Sequence, residues 1–480
     1  MSETGESTNE SGDSASESGV LLAYYGDDLT GSTDVLEALS LNGVPTVLFL
    51  ERPEPGDLAE FDADVRAVGI AGMSRSMTPE EMTSELPPAF ESLARFDPSI
   101  VQYKVCSTFD SSPEVGSIGR AIDLGQETFG SPFVPVVVAA PSLAPRGRYV
   151  LFGNLFATLD GETYRIDRHP TMSEHPVTPM TEGDLRRHLA AQTDRETADL
   201  EVRHLDGVTG VGPDRALDDA TEDGEIVVCD GLNHEHQETV GRLLWDRARE
   251  APPLFSASSS GLNYALAAHW QSSGLVAEPE SPPALPAVDQ VVVVSGSASP
   301  VNAGQIDWAL EHGFEGVRLD GASLVDPGEA DTAVEAAVEE ALDALAAGRS
   351  VLLYSARGPD DPAIDATTER ARELGVDENR LGRRLGEQQG RILRRLLKET
   401  DIGRACIAGG DTSGHVAPAL DLYALEFLAP VGPGSPLCRA RSRTDAFDGL
   451  EIALKGGQVE TRNEAADFFG LVREGGRPSE

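Results

Sequence analysis

Lysine is nearly missing from this chain. Only Lys104, Lys398 and Lys455 stand among its 38 basic residues, so almost every cation is arginine. Basic charge as a whole is short: 81 acidic residues leave a net charge of -43, which excludes nucleic-acid or anionic-membrane binding by the bulk surface. Cysteine is scarce. Cys106, Cys229, Cys406 and Cys438 lie far apart with no CxxC pair, so neither a zinc site nor a disulfide framework is indicated, and a reducing cytoplasm is expected. Long apolar runs are absent: no stretch approaches the roughly 18 residues of a membrane span. The first 19 residues, MSETGESTNESGDSASESG, have no hydrophobic segment and read as a disordered acidic leader rather than a signal peptide.

An acid-rich, lysine-poor composition suggests a halophilic cytoplasm, where multimolar salt screens self-repulsion over about 3 Å. A GC-biased genome would also turn Lys into Arg. Either way the surviving lysines are informative, because Lys104 and Lys455 then mark places that require a compact ammonium. Lys398, within RILRRLLKET, reads as a solvated helix face.

At 480 residues the chain is too long for one compact core. The Pro-rich segment at 276–289 is the clearest linker, giving domains at 20–275 and 290–472 and a tail at 473–480. Apolar runs of strand length alternate with helical patterns throughout. This rhythm predicts an α/β protein of two domains, each with a mainly parallel sheet flanked by helices, and a site in the cleft between them. PEEMTSELPPAFESLARF reads as a helix interrupted by proline.

The chain is organised around VLLAYYGDDLTGSTDVLEAL (Val20 to Leu39), a buried strand, a tight turn and a helix. Such a turn lies at the carboxyl end of the strand, where a helix N-terminus favours anions. Two adjacent carboxylates, Asp27 and Asp28, need a reason there. General-base work on a hydroxyl or a share in Mg²⁺ binding is one; helix capping by Asp28 with Asp27 solvated is the other.

Further turns lie at the same sheet edge. Arg75, after the strand VRAVGIAG, has the fork that clasps a carboxylate, although a surface ion pair is the commoner fate of an arginine. Lys104 falls inside the strand IVQYK and is expected to be buried against an acid. Ser107, Thr108, Asp110 and Ser111 follow it with hydroxyls that suit a polyol, or an ordinary turn. Asp230 ends another buried strand at the same edge. His169, His175, His234 and His236 show no metal-ligand spacing.

In the second half, SGSASPVNAGQI (Ser295 to Ile306) and CIAGGDTSGHVAPAL (Cys406 to Leu420) each run from strand through a small-residue loop into a helix, an arrangement suited to phosphate. Neither is a Walker A loop or a dinucleotide fingerprint, which disfavours a nicotinamide-dependent dehydrogenase. LEIALKGGQVE ends a strand in Lys455-Gly456-Gly457, a close passage for a flat ligand or a plain hairpin turn.

Taken in order, YYGDDLTGSTD, KVCSTFDSS, SGSASPVNAGQI, GGDTSG and LKGGQ resemble the motifs of the four-carbon acid sugar kinase family. The resemblance implies a sugar-acid-binding N-terminal domain, an ATP-binding C-terminal domain and phosphorylation of a terminal hydroxyl. It implies Asp28 as base or hydroxyl-orienting group with Asp27 beside it, and Arg75, Lys104, Ser107 and Thr108 as the sugar-acid site. ATP would meet Ser297, Gly409, Gly410, Asp411, Thr412 and Gly457, with Mg²⁺ as cofactor on ligands the motifs do not name. Asp411 and Gly456 depart from the family's usual Glu and Ser. SRSM, RYVLFGNLFA and HPTMSEHPVTPM are most similar to the branch acting on 3-oxo-isoapionate, with threonate, erythronate and 3-oxo-tetronate branches as neighbours. The implied partner is a small sugar acid, with no nucleic acid or membrane; a homodimer is left open. A non-catalytic sugar-acid or nucleotide sensor is the reading from another class.

Overall fold

A computed structural model describes residues 19–61, 64–143, 147–159, 161–175, 178–279, 282, 284–457, 459 and 467–476. Residues 1–18 of the expected leader, part of the linker, Gln458 of the LKGGQ motif and the last four residues lie outside the described residues. In the first half the strands are β1 (Leu22–Gly26), β2 (Thr46–Phe49), β3 (Ala67–Ala71), β4 (Ile100–Lys104), β5 (Val134–Val137), β6 (Arg148–Leu151), β7 (Asn154–Leu159), β8 (Glu162–Arg165), β9 (Thr197–Leu200), β10 (Ile226–Cys229) and β11 (Leu254–Ser258). In the second they are β12 (Val292–Ser295), β13 (Phe314–Arg318), β14 (Ser350–Tyr354), β15 (Arg404–Ala408), β16 (Leu422–Gly432), β17 (Ser435–Ser442) and β18 (Glu451–Lys455).

The two halves do not keep separate sheets. Twelve strands form one sheet in the order β11-β4-β1-β3-β2-β16-β17-β18-β15-β12-β14-β13. Five strands at one end and five at the other are parallel within each set, and the antiparallel ribbon β16–β17 joins β2 to β18. Pairing β2 and β18 through the ribbon removes two edges that separate sheets would expose. Register shifts within the ribbon add the local twist that bulges bring. One apolar cluster runs through both halves, from Leu22 and Leu36 to Val292 and Ile407, so the interior is shared.

Small sheets, parallel β5-β10-β9 and antiparallel β6-β7-β8, complete the first half. The Pro79–Ala94 helix runs unbroken through Pro87 and Pro88. Its buried Met82, Leu86, Phe90 and Leu93, with a capping box at Thr78 and Glu81, outweigh the roughly 3 kcal/mol that an internal proline costs.

Candidate functional site

The first turn serves capping and charge together. A Cβ at Gly26 would stand 1.9 Å from Ser32 Oγ, so the Leu29–Leu41 helix starts this close to β1 only over glycine. Asp28 caps that helix in extended conformation (φ -145°, ψ 165°), its Oδ1 accepting from Gly31 N. Its other oxygen meets Arg75 Nη1 at 2.7 Å. Arg75, on the short turn Ser74–Ser76 after β3, also donates Nε and Nη2 to the two oxygens of Asp27, each at 3.0 Å. One guanidinium thus ties both aspartates.

The aspartates differ in access. The Asp27 side chain is 7% exposed and that of Asp28 is 32% exposed, so Asp28 is the one a ligand can reach. Burial pushes Asp27 up to about 6, with Asp28 adding to the rise and Arg75 and Lys104 opposing it. Desolvation therefore wins over a bidentate ion pair.

Lys104 is buried as expected, and its acid is Asp34, at 3.3 Å on the same first helix. With its side chain 2% exposed, the ammonium is placed as the partner of Asp34 and a neighbour of Asp27, not as an open clamp for a ligand. The next turn of the helix is gripped from the second half: Thr33 Oγ1 donates to Gly434 O at 2.8 Å, and Gly434 N donates to Glu37 at 2.6 Å. Asp34 closes the YYGDDLTGSTD motif, but the sequence gives it no role; one appears only once Lys104 is seen to point inward.

Ser107 and Thr108 follow β4. Thr108 Oγ1 donates to Asp110 at 2.5 Å, and Thr178 donates to the other oxygen of Asp110 at 3.0 Å, fastening the HPTMSEHPVTPM loop to this turn. Burial would raise Asp110, but Arg75 and the two hydroxyls hold it below the usual carboxylate range. Ser111 bonds His188 at 2.8 Å, and burial pushes that imidazole down to about 4.

Asp230 is not part of this site. It accepts from the backbone N–H groups of Phe152, Gly153 and Val202, which anchors the β6–β7 turn. His236 pairs with Asp206, and His169 accepts from Thr171 and Met172 N–H groups.

In the second half, the loops after β12, β15 and β18 converge. A Cβ at Gly296 would lie 2.2 Å from Thr412 Oγ1, and one at Gly409 (φ 129°) would lie 2.6 Å from the same oxygen. A Cβ at Gly457 would lie 2.5 Å from Ser297 Oγ. Ser297, Gly409, Thr412 and Gly457 therefore form one cluster, with Gly410 and Asp411 exposed at the start of the Gly410–Val416 helix. Ser295 is buried and accepts from Asn302 Nδ2 at 2.8 Å, which makes it a strand-end anchor.

The two clusters touch. A Cβ at Gly456 would stand 3.2 Å from Thr30 Cγ2, in the first turn of the helix that Asp28 caps. One at Gly414 would stand 3.5 Å from Met73 Sδ, beside Arg75. Among the described residues no group of three or more His, Cys, Asp or Glu side chains is placed to hold a metal.

Family models match both halves: a sugar-binding N-terminal domain over residues 22–266 and a nucleotide-binding C-terminal domain over residues 292–462. The chain belongs to the four-carbon acid sugar kinase family. A 3-oxo-isoapionate kinase from Paraburkholderia graminis is 48% identical over 98% of both chains. A 3-oxo-tetronate kinase from Pseudomonas savastanoi pv. phaseolicola is 31% identical, covering 94% of this chain and 96% of that protein. Among solved structures, one from Salmonella typhimurium described as a putative tRNA synthase superposes with a TM-score of 0.72 at 25% identity, covering 93% and 98% of the two chains. One from Haemophilus influenzae, with a TM-score of 0.66 at 22% identity over 94% and 99%, shares the fold. Each matched domain contributes one of the two clusters.

Proposed function

We propose that this protein is an ATP-dependent kinase that phosphorylates a terminal hydroxyl of a short sugar acid, 3-oxo-isoapionate first among the candidates. The sugar acid binds the first half and ATP the second. The observation that carries this reading is the approach of Thr30 to Gly456, which sets an acidic, hydroxyl-lined turn against glycine loops of phosphate-binding type. The kinase relatives fit the same chemistry, and the 48% identical one favours 3-oxo-isoapionate over 3-oxo-tetronate.

Phosphoryl transfer needs positioning and charge neutralisation more than covalent help. Asp28 is the accessible carboxylate, and in this account it takes or orients the proton of the attacking hydroxyl. Asp27 and Asp28 together engage all three nitrogens of Arg75, so the substrate's carboxylate would meet its guanidinium through the second N–H groups of Nη1 and Nη2. Ser107 and Thr108 read the hydroxyls. Lys104 contributes through charge: with Asp34 it fixes the first helix and offsets the negative turn. Ser297, Gly409, Gly410, Thr412 and Gly457 cradle the ATP phosphates.

Mg²⁺ carried by nucleotide phosphates needs only one or two protein carboxylates, and the exposed Asp411 at the start of the Gly410–Val416 helix would supply one. When bound, the ion would neutralise charge on the β- and γ-phosphates. The β2–β16 ladder bonds the two halves through the sheet, which opposes free hinging of two separate bodies about the site.

Incubation with ATP, Mg²⁺ and a panel of 3-oxo-isoapionate, 3-oxo-tetronate, threonate and erythronate at high salt, followed by ADP release, tests the proposal. ADP formation dependent on one of these acids is expected. Nucleotide binding without turnover on any short sugar acid would leave a sensor in place of a kinase.

A further inference from the structure

The Gly456–Gly457 turn has both of its carbonyls held by the protein. Gly456 O accepts from Lys455 Nζ at 2.8 Å and from Val459 N at 3.2 Å; Gly457 O accepts from Ser299 Oγ at 2.5 Å. The turn meets Thr30 on one side and Ser297 on the other. Carbonyl oxygens aimed at a polyphosphate would repel it, whereas backbone N–H groups attract it.

Lys455 itself is wholly buried, with Nζ 5.7 Å from the centre of the Phe468 ring. Among the described residues no carboxylate pairs with it. An ammonium in such a place costs stability, and a packing role alone would be served better by an apolar side chain. Burial holds it down to about 8. The loops 295–299, 409–414 and 456–457 contain no lysine or arginine. Polyphosphate on these loops would have no other cation from them.

We propose that Lys455 is a positioning residue for the nucleotide phosphates. Its ammonium turns the Gly456 carbonyl away from the crevice and sets a fixed positive charge behind the glycine turn. The inference rests on the reading of these loops as the ATP site. In the low-dielectric interior that charge acts at longer range than an exposed one would.

The test uses Lys455→Met and Lys455→Gln in the full chain, with Tm, kcat and the separate KM values for ATP and sugar acid. Loss of a charge-assisted contact predicts an ATP KM raised roughly ten-fold or more. The Met variant should melt no lower than wild type, and the sugar-acid KM should move by less than about two-fold. An unchanged ATP KM in a folded variant overturns the proposal, as does failure of both variants to fold, which marks a structural lysine. Gly457→Val in parallel separates the two levels. If it abolishes ATP binding while Lys455→Met does not weaken it, only the role of Lys455 falls; if neither matters, the ATP site lies elsewhere.

Discussion

Replacing Arg75 by Gln tests the electrostatics of the acidic turn through stability and pH together. In the native protein burial already raises Asp27 to about 6 against the pull of Arg75. Removing the guanidinium removes the largest opposing influence, so the carboxyl rises further. A carboxyl whose folded pKa lies above its unfolded value of about 3.9 holds its proton more tightly when folded. Its contribution is present at low pH and is lost as pH rises through the folded pKa. Asp110 does not add to this difference: Arg75 helps to hold it low, but the stability this gives is present at both pH 5 and pH 8, and its loss lowers both alike. Each pH unit of one such proton is worth about 1.4 kcal/mol, so the window from pH 6 to 8 allows at most about 2.7 kcal/mol. With the Arg75 side chain 28% exposed, solvent screening reduces this to about 1–2 kcal/mol. Denaturant titrations at pH 5 and pH 8 in constant high salt should show the variant losing that much more at pH 8. Equal losses at the two pH values, or a greater loss at pH 5, would refute the reasoning.

Asp28→Asn should lower kcat by about two orders of magnitude with the ATP KM little changed, the pattern of lost acid–base help; near-normal turnover in a folded variant removes Asp28 from the chemistry. Asp34→Asn strands the buried ammonium of Lys104 and should cost about 3 kcal/mol, while Asp34→Asn with Lys104→Met should recover most of it, as read by a double-mutant cycle. Lys104→Ala alone should raise the sugar-acid KM more than the ATP KM; an unchanged sugar-acid affinity confines Lys104 to the ion pair. Gly409→Ala forces a Cβ to within 2.6 Å of Thr412 Oγ1 at a φ of 129° and should weaken ATP binding at least about ten-fold by calorimetry, with sugar-acid binding retained. At a net charge of -43, Tm should rise steadily from dilute buffer to multimolar KCl, and a flat profile would leave the lysine shortage to genome composition.

The parts of this protein legible in the sequence are those written locally. β1, β4, β12 and β15 are short buried strands that run into turns rich in Gly, Ser, Thr or Asp, and each strand end is visible in the sequence as a turn. The Asp27–Asp28 turn stood out because two acids follow a buried strand, and Lys104 because so few lysines remain. What stayed hidden depends on distance along the chain. The β16–β17 ribbon pairs Ala424 with Phe49, a contact no local period encodes, so one sheet looked like two. Asp34 ends the YYGDDLTGSTD motif, yet its partner Lys104 lies seventy residues on, so the pairing is not written locally. Asp230 shares its position at a strand end with the proposed site residues, and only its three backbone donors show that it anchors a turn. Pro87 and Pro88 are strong breakers overridden by the apolar face on which they ride.

The most direct measurement is the structure of the protein with a non-hydrolysable ATP analogue and the sugar acid. The account predicts the phosphates on Gly409, Thr412 and Gly457, the terminal one turned toward Asp28, and the acid between Arg75 and Thr108. Nucleotide seated against Asp27 and Asp28, with the glycine loops bare, would contradict it.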